Sequence, residues 1–74
     1  MHVKLKLFAS LRNGRFKEKT LDIKEGSTLI ELLQQFGIEK EAVAILLVNG
    51  RDGEFRQELK EGDVVSVFPP LGGG

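Results

Sequence analysis

Apolar and polar side chains alternate along the first part of the chain. In residues 2–10 the apolar positions are separated by polar ones, which is typical of a strand with one buried face. A second alternating stretch covers residues 16–23, and the Asn-Gly pair within Arg12–Arg15 favours a tight hairpin turn between the two stretches. The pattern therefore predicts that the chain begins with a β-hairpin.

A single amphipathic helix is predicted to follow. Thr28 and Glu31 have the spacing of a capping box, in which the threonine hydroxyl accepts a hydrogen bond from the Glu31 amide while the glutamate side chain reaches back. Four apolar residues then fall on one helical face: Leu29, Leu32, Leu33 and Phe36. Because Gly37 stands where a left-handed C-terminal cap belongs, we expect a helix of about nine or ten residues with one buried side.

Two apolar runs in the second half of the chain predict two further strands. The run Ile45–Val48 is ended by an Asn-Gly turn sequence, so we expect a short strand that is covered on at least one face. The run Val64–Phe68 is predicted to be the last strand. Pro69 and Pro70 should stop it, because proline has no N–H group to donate to a neighbouring strand.

The order of these elements predicts the fold class. Between the last two strands, Arg51–Glu61 is polar and irregular, and we expect a minor edge strand near Phe55 and one helical turn near Leu59. A helix with one apolar stripe needs a sheet face to cover, and the last strand can lie parallel to the first at the centre of that sheet. We predict an α+β chain of the β-grasp type, with a mixed four- to five-stranded sheet packed on one main helix. Residues 1–70 would form this domain and residues 71–74 a flexible glycine tail.

Composition narrows the class of protein. At 74 residues the chain suits one domain. It has no cysteine, which excludes disulfides, thiolate zinc sites and a thiol nucleophile, and agrees with a cytoplasmic location. The longest apolar run, Ala42–Val48, is far shorter than a membrane span. Lysines also interrupt the N-terminal residues where a signal peptide would have its apolar core. We therefore expect no membrane association.

The charges balance overall but are unevenly distributed. Residues 1–24 carry seven basic and two acidic side chains, whereas residues 25–74 carry four basic and nine acidic ones. A basic hairpin could bind nucleic acid, but no aromatic or glycine motif for RNA accompanies it. We favour lysines that protect a strand edge from pairing with other chains, and we expect no nucleic acid partner.

The side chains do not form a recognisable active site. His2 is the only histidine, and it falls on the polar side of the first strand. The two glycines of residues 49–55 are three apart and lack the Lys-Ser/Thr pair of a phosphate-binding loop. No acidic residues have the spacing of a metal-binding loop. We expect a chain with no catalytic centre, metal or cofactor of its own.

The last residues offer a different kind of chemistry. Gly72–Gly74 have no Cβ atoms, so they can pass through a channel too narrow for other residues. Pro69 and Pro70 fix their φ angles and should direct the tail, while Leu71 offers a partner one apolar side chain. A terminal carboxylate is ionised at neutral pH and must be activated before it reacts, for example as an acyl adenylate made by another protein from ATP. The alternative is a frayed end with no function.

A second candidate feature lies on the predicted sheet. If Val3, Leu5 and Leu7 of the first strand face the helix, Phe8 faces away from it. If Val65 and Val67 of the last strand also face the helix, Phe68 faces away too, together with half of Ile45–Val48. An apolar patch beside a mobile tail predicts a docking surface for a partner. The alternative is that either phenylalanine turns inward at the end of its strand.

Four segments of the sequence resemble one family. They are "LFASLR" (Leu7–Arg12), "EGSTLIELLQQFG" (Glu25–Gly37), "LLVNGR" (Leu46–Arg51) and "LKEGDVVSVFPPLGGG" (Leu59–Gly74). Together they resemble the MoaD/ThiS family of ubiquitin-like β-grasp sulfur carriers over essentially the whole chain. The Phe-Pro-Pro step before the glycines is similar to that of molybdopterin synthase small subunits, and thiamine-pathway carriers usually lack it.

The resemblance implies a chemical cycle. A ubiquitin-activating-like adenylating enzyme would use ATP to adenylate the carboxyl group that matches Gly74, and a sulfur donor would convert the product to a thiocarboxylate. A molybdopterin synthase large subunit would then receive the tail and pass the sulfur to a pterin precursor. By position, Gly72 and Gly73 would lie in the partner's tunnel, while Phe68 and Leu71 would contact the partner.

Two features depart from the common family pattern and leave alternatives open. The sequence has three terminal glycines where two would suffice, and the loop Asn49–Phe55 is less compact than in many members. One extra glycine changes the reach of the tail by about 3.5 Å, which leaves the exact partner open. The same tail could instead join target lysines, as in ubiquitin-like protein modifiers, or carry sulfur for thiamine synthesis or tRNA thiolation. The choice between molybdenum and tungsten is also open.

Overall fold

Five strands form one mixed sheet in the computed structural model, which describes residues 1–71. The strands are β1 (His2–Leu7), β2 (Glu18–Asp22), β3 (Ile45–Val48), β4 (Arg51–Asp52) and β5 (Val64–Phe68). In space their order is β2-β1-β5-β3-β4. The described part of the chain also contains one α-helix, α1 (Leu29–Gln34), and two short 3-10 helices (Ala9–Arg12 and Lys40–Ala42).

The central pair of strands decides the topology. β1 and β5 are parallel, and Leu5 lies opposite Val65. β2 pairs antiparallel with β1, β3 pairs antiparallel with β5, and β4 pairs antiparallel with β3. The first and last strands therefore lie side by side in the middle of the sheet, with α1 on one face. This arrangement confirms the predicted ubiquitin-like β-grasp.

The core lies between α1 and the sheet face that the alternating residues point to. Leu29, Leu32 and Leu33 of α1 are completely buried. They pack in one cluster with the inward residues of the central strands: Val3, Leu5, Leu7, Leu46, Val48, Val65 and Val67. Because burying one such aliphatic side chain is worth about 1.5–3 kcal/mol, the period-two and helical patterns determine the fold together.

Both predicted ends of α1 are present. The Thr28 hydroxyl accepts a hydrogen bond from the Glu31 amide at 3.4 Å, and the Thr28 amide donates to Glu31 Oε1 at 2.8 Å. At the other end Gly37 has a φ of +68°, and the Ile38 amide donates to the Leu33 carbonyl at 3.1 Å. These bonds form a capping box and a Schellman motif, so polar groups at both ends of the helix are satisfied.

The predicted length of α1 was too long. The helix spans six residues and ends at Gln34. Beyond that residue the backbone tightens, and the Phe36 amide donates to the carbonyl of Leu33, three residues earlier. Phe36 is consequently only half-buried, and its ring meets the edge of Phe16 at a centroid distance of 5.2 Å.

The capping box makes a prediction about stability and its pH dependence. Hydrogen bonds from the Thr28 backbone and then its side chain lower the pKa of Glu31, with a further contribution from the charge of Lys24. Because the folded-state pKa is depressed, this stabilisation is complete above the pKa of a free glutamate and is lost as the pH falls through the folded-state pKa. Thr28→Ala should lower the free energy of unfolding by about 1 kcal/mol at neutral pH.

Urea unfolding at neutral and acidic pH tests this prediction. Thr28→Ser keeps the hydroxyl and should retain most of the stability. The difference between the wild type and Glu31→Gln should disappear in acid, where both side chains are uncharged. A Glu31→Gln effect of equal size at both pH values would show that the charged capping box does not contribute.

The connection between β1 and β2 differs from the prediction. The chain does not make a two-residue hairpin turn at Asn13 and Gly14, and instead residues 8–17 connect the strands. Gly14 has a φ of +71°, and the turn is closed by the Arg15 amide, which donates to the Arg12 carbonyl at 2.9 Å. The Asn-Gly pair therefore makes a turn, but within a longer loop.

Tertiary contacts explain this longer loop. Leu11 is buried in the core, which pulls a 3-10 helix inward after β1. The Arg15 side chain donates from Nε to the Phe36 carbonyl at 2.9 Å and from Nη1 to the Leu11 carbonyl at 3.0 Å. Arg15 thus joins the loop to the end of α1, a contact that no local turn signal contains.

The predictions for residues 51–61 were wrong in detail. The edge strand β4 comes before the predicted position near Phe55, and no helical turn forms at Leu59. Leu59 is instead buried, and its amide donates to the Ser27 carbonyl at 2.9 Å. Because Leu59 is buried beside the start of α1, the chain around it is extended rather than helical. The polar composition of residues 51–61 gave no pattern that predicts this conformation.

Candidate functional site

An apolar groove of about 640 Å³ lies where β5 ends. Five of its lining residues are ones that the sequence singled out: Phe8, Phe68, Pro69, Pro70 and Leu71. The other lining residues are Ala9, Ser10, Ala44 and Ile45. No charged side chain lines it, so the groove fits the apolar side chains of a partner.

Backbone hydrogen bonds to β5 bring these residues together. The Phe8 amide donates to the Val67 carbonyl at 3.2 Å, and the Ala44 amide donates to the Phe68 carbonyl at 2.8 Å. Residues that follow β1 and precede β3 are therefore held on either side of the last strand. Pro69 then ends the pairing, because it has no N–H group to donate.

Two aromatic rings form one wall of the groove. The Phe8 and Phe68 rings stack with their centroids 4.1 Å apart and an angle of 11° between their planes. Val67, the neighbour of Phe68 in β5, is completely buried, so Phe68 points to the sheet face opposite α1. The rings support each other while both remain partly accessible, which suits a surface that a partner covers.

The groove is also lined by the two exposed large hydrophobic side chains of residues 1–71. Ile45 is 51% exposed, and Leu71 is fully exposed. Ile45 lies opposite Phe68 across the β3–β5 pair. An apolar patch that continues from the sheet to the residue before the terminal glycines has the composition of a docking site.

Comparisons with known proteins agree with this architecture. A family model described as "ThiS family" matches residues 5–74. The chain belongs to the ThiS family. It has the ubiquitin-like β-grasp fold of ThiS/MoaD-type sulfur carriers, as the sequence motifs predicted.

Solved structures resemble this ThiS-family chain over nearly its full length. A Pyrococcus furiosus protein assigned as molybdopterin converting factor subunit 1 is 31% identical, with a TM-score of 0.77 over 96% of this chain and 99% of that one. In the Helicobacter pylori complex of molybdopterin-converting factor subunits 1 and 2, the matching chain is 25% identical, with a TM-score of 0.66 and full coverage of both chains (100% each). SAMP1 from Haloferax volcanii, at 22% identity and a TM-score of 0.75 over 100% of each chain, shares the fold.

The predicted tail of this ThiS-family chain is only partly described. Leu71 lines the groove, whereas Gly72, Gly73 and Gly74 lie outside the described residues. The roles predicted for these three glycines, and the partner-binding role of the groove, stay predictions.

Sequence reasoning did not single out Ala9, Ser10 or Ala44, whereas Ile45 belongs to the strand whose outward half was predicted to join the patch. Ala9 has a φ of +51°, an uncommon conformation for alanine that begins the 3-10 helix after β1. Ala44 is held at the groove by the hydrogen bond from its amide to the Phe68 carbonyl, next to the pairing of β3 with β5. Both positions depend on contacts between distant segments, so neither carries a local sequence signal.

The one buried charged side chain of residues 1–71 has a structural role at the opposite end of β5. Asp63 accepts hydrogen bonds from the Lys60 amide at 2.8 Å and from Asn49 Nδ2 at 2.9 Å. Asn49 Oδ1 in turn accepts a hydrogen bond from the Val64 amide at 2.9 Å. This satisfied network fixes the turn after β3 to the start of β5, so Asp63 is not a candidate catalytic group.

Residues 1–71 lack two features that would point to other functions. Within this range, no three metal-binding side chains lie close enough to hold an ion. A membrane-spanning helix is likewise absent from the part of the chain that the structure describes. The groove is therefore the strongest candidate site among the described residues.

Proposed function

We propose that this chain is a sulfur carrier for molybdopterin synthesis and that the α-carboxyl group of Gly74 carries the sulfur as a thiocarboxylate. The observation that carries the proposal is the position of the groove. Its apolar wall continues through Pro69 and Pro70 to Leu71, which directly precedes the three glycines. The 31% identity with the Pyrococcus furiosus molybdopterin converting factor subunit supports the choice of pathway.

The proposed chemistry begins at the carboxylate. At neutral pH the group is ionised, since a terminal carboxyl has a pKa near 3.5. In the active site of an adenylating enzyme it would attack the α-phosphorus of ATP and release pyrophosphate, which gives an acyl adenylate. A sulfur nucleophile at the oxidation level of hydrosulfide would then displace AMP and leave the thiocarboxylate. The partner would bind the ATP, and this chain would supply only the carboxyl group.

The described residues would position that carboxyl group. Partner side chains that fill the groove would hold the domain, and the fixed φ angles of Pro69 and Pro70 would give the tail its direction. Leu71–Gly74 can span up to about 14 Å when extended. We infer that binding at the groove brings a distant carboxyl group to a buried active site while the domain stays outside.

The second proposed partner is a molybdopterin synthase large subunit. The Helicobacter pylori structure, a complex of subunits 1 and 2 of the molybdopterin-converting factor, supports this proposal. The loaded tail would donate its sulfur there to a cyclic pterin precursor. Hydrolysis of the acyl group would then return the carboxylate for another cycle.

A sulfur-transfer assay tests the proposed pathway. The thiocarboxylated chain is mixed with the large subunit from the same genome and the pterin precursor. We expect the chain to return to its carboxylate mass as a dithiolene product forms, and no product without the precursor or with unloaded chain. The molybdopterin assignment would be refuted if the chain kept its sulfur in this assay but transferred it to a thiamine or tRNA acceptor in a parallel one. Gly74-dependent ladders on immunoblots would indicate a protein modifier.

A further inference from the structure

Arg12 is held in a fixed orientation next to the groove. Its Nε donates a hydrogen bond to the Leu7 carbonyl at 2.6 Å, and its Cζ lies 5.3 Å from the centre of the Phe8 ring. Phe8 in turn stacks on Phe68 and lines the groove. The side chain is partly buried, so it has lost some of its rotamer freedom before any partner binds.

The outer nitrogens of Arg12 remain available. In residues 1–71 they make no hydrogen bond, and no Asp or Glu oxygen lies within 4.0 Å of the guanidinium. Arg15 differs, because its Nε, Nη1 and Nη2 all donate to carbonyl oxygens of Phe36, Leu11 and Gly37. Arg15 therefore has a structural role. The Nη1 and Nη2 atoms of Arg12, next to the groove, can still donate hydrogen bonds to a partner.

A partner that covers the groove would make the unpaired charge of Arg12 energetically unfavourable. A partner that packs apolar side chains against Phe8 would exclude water from the neighbouring guanidinium, and a desolvated charge without a counter-ion is strongly unfavourable. The groove contains no acidic residue that could compensate. A carboxylate matches the planar guanidinium best, because it can accept two parallel hydrogen bonds.

We propose that Arg12 determines which proteins can occupy the groove, by pairing with an Asp or Glu carboxylate of the partner that lies beside its apolar contact residues. The inference rests on the proposed function in one respect, since it takes the adenylating enzyme as the partner that covers the groove. It adds a charge requirement to a surface that is otherwise apolar. A partner with equal apolar area but no carboxylate at this place is expected to bind weakly.

Affinity measurements with charge variants test the proposal. The probe is the adenylating enzyme of the same genome, titrated with the chain at low and high salt. Arg12→Gln should weaken binding about 10-fold and Arg12→Glu about 100-fold, with Arg12→Lys less affected than Arg12→Gln. The wild-type affinity should fall as salt rises, and Arg12→Gln should show a smaller dependence on salt. Arg56→Glu, a change at an exposed arginine outside the groove, is the matched control and should bind like the wild type.

Four further outcomes are decisive. Changing the paired partner carboxylate to lysine should restore the binding of Arg12→Glu. If Arg12→Gln and Arg12→Glu lose equal amounts of affinity, independent of salt, Arg12 acts only by supporting Phe8. If both variants bind with wild-type affinity, Arg12 has no role in binding. Either result overturns the inference while the proposed function stands, provided that the enzyme still adenylates the wild type. If the enzyme does not adenylate the wild type, the proposed function fails and this inference falls with it. Amide NMR spectra confirm that each variant is folded.

Discussion

Deletion of Gly74 should abolish adenylation of the chain and leave its fold unchanged. The proposed reaction needs the carboxylate in line with the α-phosphorus of ATP, and one residue less withdraws it by about 3.5 Å. Since a misplacement of 1 Å can lower a rate about 10²-fold, the loss should be at least of that size. Residues 1–71 contain the whole described core, so stability should not change.

ATP–pyrophosphate exchange with the partner enzyme measures this effect, because it follows adenylation without requiring sulfur. Extension of the chain by one glycine is the matched variant, since it moves the carboxylate forward by a similar distance. Both variants should be inactive and should unfold at the same urea concentration as the wild type. Exchange at the wild-type rate after deletion of Gly74 would mean that another group is activated.

The second large effect is expected at Phe68. Its ring lines the groove, stacks on Phe8 and stands at the base of the tail, which is the central position where binding energy tends to concentrate. Phe68→Ala should weaken binding of the adenylating enzyme by about 2 kcal/mol or more, which is roughly 30-fold. Phe68→Leu keeps apolar volume without the aromatic stack, so its loss should be smaller.

Val64→Ala is the matched control for Phe68→Ala. Val64 lies on the same strand and also points to the sheet face away from α1, but at the end distant from the groove. Isothermal titration calorimetry of the folded variants should show near wild-type affinity for Val64→Ala. Equal affinities for the wild type and Phe68→Ala would show that the groove does not bind the adenylating enzyme and that the tail is the only contact.

The helix caps could be predicted because their signals are local. Thr28, Glu31 and Gly37 lie within ten residues of each other, and each satisfies backbone groups of the same helix. The parallel placement of β5 beside β1 was also predictable. Once one helix covers one sheet face, few arrangements bury the alternating valines and leucines of both strands.

The parts that could not be predicted depend on distant contacts. The Asn13-Gly14 signal suggested a tight hairpin, but burial of Leu11 and the hydrogen bonds of Arg15 to the end of α1 favour a longer connection. Leu59 likewise lies in an extended segment because it completes the core beside α1. Local propensity gives no information on either contact.

The candidate site was predictable in outline. Alternation along the strands placed Phe8 and Phe68 away from α1, and the structure brings them together with Pro69, Pro70 and Leu71. The stacking of the two rings follows from the pairing of β1 with β5. The position of Arg12 beside Phe8 follows from the 3-10 helix after β1 and from its hydrogen bond to the Leu7 carbonyl. In the sequence Arg12 was one of seven basic residues among residues 1–24, and its charge alone did not distinguish it from the others.

The whole account depends on whether sulfur replaces oxygen on the last residue. The direct measurement is the intact mass of the chain after incubation with the adenylating enzyme, ATP and a sulfur donor, followed by fragmentation to locate the change. We predict a mass increase equal to the exchange of one oxygen for one sulfur, confined to Gly74. An unchanged mass, while an authentic sulfur carrier is loaded in parallel by its own enzyme, would contradict the account, and so would sulfur on any other residue.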